Sequence, residues 1–348
     1  MRQDDRRVNM NNPYRDKNAE NKKTSIENRQ VRNIGKSAVE KPKKCLTPAI
    51  ITIVVMLLFI GAEFLLKTNL FKNQNPYISL VVIQFFVFIL PCAFVSAISS
   101  KNSGGLSDYN FRLFPPKMLG FVFSALAVML FGNMLLKYLG YVLFGVVNKA
   151  TVIYENENML ALIAATVLVP AIAEEILMRG TVYHEYEKSG VGALGAIIGS
   201  SFMFAFIHFD PANFISYLFS GIILAISLHI TKSLLAPIAI HLLNNTICIF
   251  TDTFIKRISK ESISSVFVIF LLSVLLLVAL FLFIESLEWI CVAKAYKTSK
   301  EAKNENEYKG TRLIPQKTQL REIFSCIFIN PAFYTAVIIY FLRVLIIR

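Results

Sequence analysis

The chain has 348 residues, of which 55% are hydrophobic and only 17% charged, with a formal net charge of +13. A soluble domain carries roughly 45–50% apolar and about 25% charged residues, so this composition excludes an ordinary soluble protein, whose surface would be left with large greasy patches. The cationic excess lies mostly outside the greasy segments, which argues against nucleic-acid binding as its meaning.

Residues 1–45 form a polar tail with thirteen Lys/Arg and six Asp/Glu. Such a segment cannot bury enough surface to offset its ordering entropy, so disorder is expected. Apolar runs follow at about 46–66, 77–99, 118–147, 159–178, 190–207, 213–230, 234–254, 263–290 and 323–345. They are too long for strands and show no alternating repeat. The expected fold is an all-α membrane protein, a polytopic bundle of eight or nine transmembrane helices. Asn330-Pro331 reads as a helix start and makes the ninth span the least secure. The organisation is then a tail at 1–45, helices at 46–158, a motif-bearing block at 159–255, and C-terminal helices at 256–348 interrupted by a basic segment at 291–322.

With a cytoplasmic amino terminus and nine crossings, cytoplasmic segments hold 27 Lys/Arg and external ones eight, with Lys137 inside a span. That asymmetry fits a multi-pass cell-membrane protein whose tail and 291–322 segment meet anionic headgroups on the cytoplasmic side. Only Lys256, Arg257 and Lys260 run against the rule. The five cysteines are scattered and contain no C-x-x-C, so neither a disulfide framework nor a zinc ribbon is implied. Cys45, Cys291 and Cys326 lie near membrane edges and give a weak acylation signal.

Charges inside lipid cost at least ~2.5–3.5 kcal/mol each on insertion scales and therefore point to function. The densest case is Pro170-Ala-Ile-Ala-Glu174-Glu175-Ile-Leu-Met-Arg179. Glu174 and Glu175 project about 100° apart on a helix. Arg179 stands four residues after Glu175, the favourable acid-first spacing for an ion pair. That leaves Glu174 without a partner on its own helix. Pro170 removes a backbone hydrogen bond and presses on the Thr166 carbonyl, so a kink is expected before the acidic pair. Further polar insertions are Phe204-Ala-Phe-Ile-His208 and His241-Leu-Leu-Asn244-Asn245. With the turn centred on Val191, Glu174 and His208 have equal offsets and should sit at one depth in a helical hairpin. His241 reaches that depth only with a re-entrant start near Leu234–Pro237 or a strong tilt. A carboxylate beside an imidazole can deprotonate a water, and a second imidazole with an amide can donate to an oxyanion. This is equipment for peptide hydrolysis without a covalent nucleophile. The same groups, Glu174, His208 and His241, are also zinc-ligand types.

The three insertions, Glu174-Glu175-x-x-x-Arg179, Phe204-x-x-x-His208 and His241-x-x-x-Asn245, in that order on successive apolar helices, resemble the signatures of the CPBP intramembrane proteases. That family includes the type II CAAX prenyl endopeptidases and the bacteriocin-processing and immunity proteins. Ser233-Leu-Leu-Ala-Pro237 before His241 is similar too, and the resemblance covers roughly residues 159–250. It implies an eight-helix-type membrane fold and endopeptidase activity. By motif position Glu174 resembles the residue that activates water, with His208 assisting. His241 and Asn245 resemble the oxyanion-stabilising pair, and Glu175 and Arg179 the supporting pair. The family has been read both as zinc metalloproteases and as metal-free glutamate proteases, and the motifs leave both open.

The expected function is an intramembrane endopeptidase that cuts a peptide or membrane-protein substrate near the cytoplasmic face. The alternative is a non-catalytic immunity or scaffold protein with a polar binding centre. A transporter is disfavoured because no inverted repeat of broken helices is seen. His184-Glu185 does not complete H-E-x-x-H, because position 188 is lysine. His184 reads as a surface residue, His229 as a span-end residue, and Asp210-Pro211 as a helix cap. Glu63, Asp252, Glu285 and Glu288 read as snorkelling acids near span ends.

Overall fold

The computed structural model describes residues 46–68, 76–99, 110–145, 163–260, 264–301 and 320–346, with side chains at all but 76, 98–99, 249–260 and 294–301 of these. The tail over 1–45 and most of the basic segment 291–322 lie outside the described residues. The described regular structure is all helical. In chain order it comprises α1 (Leu46–Leu66), α2 (residues 76–99), α3 (Leu119–Phe144), α4 (residues 163–188), α5 (Gly192–Phe206), α6 (Phe214–Thr231), α7 (Leu235–Lys260), α8 (Ser265–Glu301), α9 (Leu320–Phe328) and α10 (Pro331–Ile346).

Five helices among the described residues are long and apolar enough to cross a membrane: α1, α2, α3, α6 and α8. The α9–α10 pair, bent by 51°, makes a sixth if counted as one span. The bend falls at Ile329–Asn330, where the Asn330 side chain accepts the Ala332 N–H at 3.0 Å and starts α10. Three stretches of the expected eight or nine fall short of the same measure, and they are the motif-bearing ones. The α4 stretch is broken up by polar residues and changes of helical pitch, α5 has only 15 residues, and the part of α7 whose side chains are described, Leu235–Cys248, is apolar but short. At 1.5 Å per residue α5 spans about 22 Å, less than the roughly 30 Å hydrocarbon core. Among the chemistry-bearing helices α5 is thus the short one, while α4 and α7 are long but interrupted by polar side chains.

Two apolar clusters hold the bundle. The larger joins α1, α2, α4, α5, α6, α9 and α10 around Met56, Phe88, Tyr186, Phe204 and Tyr340. The second joins α3, α6, α7 and α8 around Phe121, Leu224, Ile240 and Phe283. Helix α8 runs antiparallel to α3: Phe121 stacks on Phe283 at 5.3 Å between centroids, while Tyr138 packs with Val268 and Leu272. Its other side exposes Phe267, Phe270, Leu277 and Phe281, the pattern of a helix solvated by lipid rather than water. Helix α5 approaches α6 closely because Gly221 has no side chain; a Cβ there would stand 3.0 Å from the Ser201 backbone.

Candidate active site

The local chemistry of α4 explains how it presents two adjacent acids. Residues Ala164–Leu168 and Ile176–Val182 are π-helical and flank the α-helical turns Val169–Glu175. In the first π turn the Val169 N–H bonds the Ala164 carbonyl, five residues back. Continuing that register, the Ala165 carbonyl would need the N–H of Pro170, which has none. Gln84 of α2 supplies the missing donor, its Nε2 lying 3.2 Å from the Ala165 oxygen. The extra residue in the turn also moves the proline ring away from the preceding carbonyl, so the expected kink is realised as a wide turn. Helix α2 repeats the device: the π turn Phe85–Ile89 is followed by Leu90 and Pro91.

The two acids face different partners. Glu174 Oε2 stands 3.6 Å from Nε2 of His208. This oxygen is buried and has no hydrogen-bond partner in the protein. His208 ends the irregular turn after α5 and donates its Nδ1–H to the Phe204 carbonyl at 2.7 Å. A carbonyl can only accept, so Nδ1 carries the proton and Nε2 is the nitrogen that faces Glu174. Tyr217 of α6 stacks on the other side of this ring, 3.8 Å between centroids and 22° between planes. Phe209, directly after, adopts φ +49° and turns the chain away from the site.

Glu175 is fully buried and belongs to a second, closed group. Its Oε1 accepts from Arg179 Nη1 at 3.0 Å and pairs with His241 Nδ1 at 2.8 Å. Arg179 also donates Nη2 to the Gly221 carbonyl at 3.1 Å and lies 4.6 Å above the Phe204 ring. The same ring meets His208 and His241 edge-on, at 4.7 and 5.9 Å. Phe204 is therefore the apolar floor that spaces the two imidazoles. The Arg179 charge keeps Glu175 an acceptor, so His241 donates Nδ1–H to it and leaves Nε2 for the cavity. Helix α7 reaches this position unbroken. It starts at Leu235, after the Leu234 N–H bonds the Asn110 carbonyl at 2.8 Å.

Asn244 and Asn245 both line the cavity. Asn244 is buried, donates Nδ2 to Asn245 Oδ1 at 3.4 Å, and leaves its own Oδ1 without a protein partner. Sequence spacing favours Asn245; the structure brings both amides to the wall. Two wall residues that the motifs miss are Asn133 and Ser220, which exchange hydrogen bonds of 2.9 and 3.2 Å between α3 and α6. Asn133 lies in the apolar stretch of α3, where a lone amide was a readable signal. Tyr217 and Ser220 sit in a run without charges and carried none.

The cavity over these groups measures about 560 Å³ and is walled by Phe59, Leu80, Ile83, Phe88 and Met129. It extends from Glu174 towards Leu66 at the end of α1, Lys137 late in α3, Ala165 early in α4, and Asn213 before α6. These positions share one end of the bundle. Leu46 lies at the other end of α1, about 30 Å away by helix rise. The cavity mouth and the start of α1 thus lie at opposite ends of that helix.

The metal reading required Glu174, His208 and His241 to converge. Among the described residues no three His, Cys, Asp or Glu side chains group closely enough to hold a metal ion. The donors are divided into a Glu174–His208 pair and a Glu175–His241 pair, so the set as placed does not fit a zinc site.

The remaining polar residues are more engaged than expected. His184 is half-buried, with Nδ1 on the Arg179 carbonyl at 2.9 Å, and His229 meets the Tyr183 hydroxyl at 3.2 Å. Glu63 does not snorkel but is held bidentately by Arg343 of α10, at 2.8 and 3.0 Å. Asp210 accepts the Ala212 and Asn213 N–H groups at 3.0 and 3.3 Å and so caps the turn leading into α6, which starts at Phe214. Asp252 lies among residues whose side chains are not described.

No curated protein and no solved structure matches the chain. One family model does match, over residues 156–247, described as Type II CAAX prenyl endopeptidase Rce1-like. That stretch covers about a quarter of the chain and includes every motif residue. The segment that builds the cavity floor thus matches the Rce1-like type II CAAX prenyl endopeptidase model, in keeping with the CPBP resemblance of its motifs, and it is set among helices long and apolar enough to cross a membrane.

Proposed function

We propose that the protein is an intramembrane endopeptidase that hydrolyses a peptide bond in a peptide or membrane-protein substrate, with Glu174 and His208 activating the water. The observation that carries this reading is the Glu174 carboxylate: one oxygen buried, unpartnered within the protein, and 3.6 Å from an imidazole nitrogen at a cavity wall. A buried acceptor left unmatched costs free energy, and a substrate water is the donor it lacks. Water attacks the scissile carbonyl carbon while Glu174 takes its proton. The carbonyl oxygen becomes an oxyanion and accepts hydrogen bonds from the Asn245 amide and from the Nε2–H of a His241 that enters and leaves the reaction protonated on both nitrogens, its charge balanced by Glu175. The C–N bond then breaks as the proton passes from Glu174, with His208 assisting, to the departing nitrogen. One carboxyl and one amino terminus result. Glu175 and Arg179 touch no substrate; they hold His241 in place. Apolar walls suit an apolar or lipid-modified segment.

The protein works as a multi-pass protein of the cell membrane, its tail and 291–322 segment on the cytoplasmic side against anionic headgroups. The test is peptide cleavage by the detergent-purified protein. Glu174→Gln keeps the size of the side chain and removes the base, so turnover should fall by about 10²–10⁴-fold. Equal activity in Glu174→Gln and in the unmodified protein overturns the reading and favours a non-catalytic binding role.

A further inference from the structure

The ends of the helices can be sorted into two faces, and the sorting has a consequence for the substrate. Helix α1 ends at Leu66 on the cavity wall. Residues Asn213, Ser216 and Tyr217, at the start of α6, line the same wall. Helix α10 runs to this face too, because Arg343 near its end grips Glu63 near the end of α1. Helix α8 begins there, since Val268 and Leu272 pack on Tyr138 late in α3. The opposite face holds Leu46, the turn after Lys188, and the Thr231–Leu235 connection. Asn110 and Arg112 tie down this last connection, through Asn110 Nδ2 on the Lys232 carbonyl and Ser233 Oγ on the Arg112 carbonyl, at 2.5 Å.

The charge follows the same division. By sequence, the segments attached to helix ends at the face away from the cavity carry 26 Lys/Arg once the buried Arg179 is left out, and those attached at the cavity face carry eight. The latter include the cluster Lys256, Arg257 and Lys260, which still leaves the totals far apart. Short basic segments stay on the cytoplasmic side of a membrane. We infer that the cavity opens to the non-cytoplasmic side, so that the peptide it receives is the extracytoplasmic end, or the extracytoplasmic juxtamembrane stretch, of a membrane-inserted chain.

The chemistry of the mouth fits such a segment. Its rim is polar, with Glu63, Lys137 and Asn213, while Phe59, Leu80 and Met129 give the wall an apolar stretch beside the polar groups of the site. A chain leaving the bilayer meets these surfaces in that order, with its solvated part at the rim and its last apolar residues against Phe59, Leu80 and Met129. The volume of about 560 Å³ is that of a pocket for a short segment rather than a folded domain. What is cut rests on the peptidase reading; the side from which it enters rests on the helix ends and the charge alone.

The experiment uses the full chain in cells, with its native cysteines replaced by alanine. A single cysteine is placed at the cavity mouth, Leu66→Cys, or at the opposite face, Lys188→Cys. A membrane-impermeant sulfonated maleimide is added before or after permeabilisation. Leu66→Cys should label fully in intact cells and Lys188→Cys only after permeabilisation. Labelling of Lys188→Cys in intact cells, or of Leu66→Cys only after permeabilisation, overturns the inference. A second readout avoids cysteine replacement. Alkaline phosphatase fused after residue 348 should be active, because α10 ends at the cavity face, and an inactive but full-length fusion overturns the inference as well. Neither readout depends on catalysis, so loss of the peptidase reading through an unaffected Glu174→Gln would leave the sidedness result standing.

Discussion

At the residue scale, adjacent acids do different work. Glu174 makes no hydrogen bond within the protein through Oε2, whereas Glu175 is bonded to Arg179 and His241. Glu175→Gln should therefore lower stability by about 3–5 kcal/mol, since it leaves the Arg179 charge buried without its counterion. Glu174→Gln should leave the unfolding temperature in detergent almost unchanged while removing activity. Thermal unfolding alongside peptide cleavage separates the two; equal destabilisation by both substitutions would contradict the division. Sequence spacing already predicted the Glu175–Arg179 pair and a common depth for Glu174 and His208. It did not reveal that His241 answers to Glu175. Helical periodicity orders residues on one helix, but the choice between two neighbouring carboxylates depends on how α7 lies against α4.

At the element scale, the π turns are the devices that aim the acids. Gln84→Leu would leave the Ala165 carbonyl without a donor and should cost about 1–3 kcal/mol of stability. Pro170→Ala returns an N–H to the backbone and lets the turn before Glu174 close as ordinary α-helix. The expected outcome is unchanged or raised stability with reduced cleavage, because the wall from Ala165 to Pro170 turns relative to Glu174. Stability measured by unfolding, set against turnover, distinguishes this from simple loss of fold. Pro170 was legible as a disturbance from sequence. Its form was not, because the side chain that satisfies the freed carbonyl lies 81 residues away on another helix. The spans were readable where helices are long and lipid-facing. Around the motifs, polar residues, π turns and the short α5 make hydropathy a poor ruler.

At the scale of the whole molecule, α1 and α10 lie outside the family-matched segment yet close the mouth of the cavity. The Glu63–Arg343 pair ties them together, with Arg343 also 5.7 Å from the Phe209 ring. Arg343→Ala should lower stability by about 1.5–3 kcal/mol, the worth of hydrogen bonds to a charged group. Exchanging the charges in Glu63→Arg with Arg343→Glu should recover much of that loss, as read by unfolding in detergent. The asymmetry of basic residues was plain in the sequence. Its relation to the cavity was not, because a charge count locates loops and only packing locates the opening between them.

The division of labour between the two acids also bears on how such a protein could lose its activity. The Arg179–Glu175–His241 group, seated on Phe204, is what the surrounding helices are built upon. Glu174 Oε2 has no hydrogen bond within the protein and only the 3.6 Å approach of His208 beside it. On the peptidase reading, a single exchange at Glu174 would remove activity and leave an assembled membrane scaffold, whereas a change at Glu175 would cost the scaffold itself. Relatives that have become pure binding proteins should therefore be recognised by a missing first acid beside an intact second acid, arginine and histidine. Surveying natural variants at these four positions would reveal that pattern without any assay.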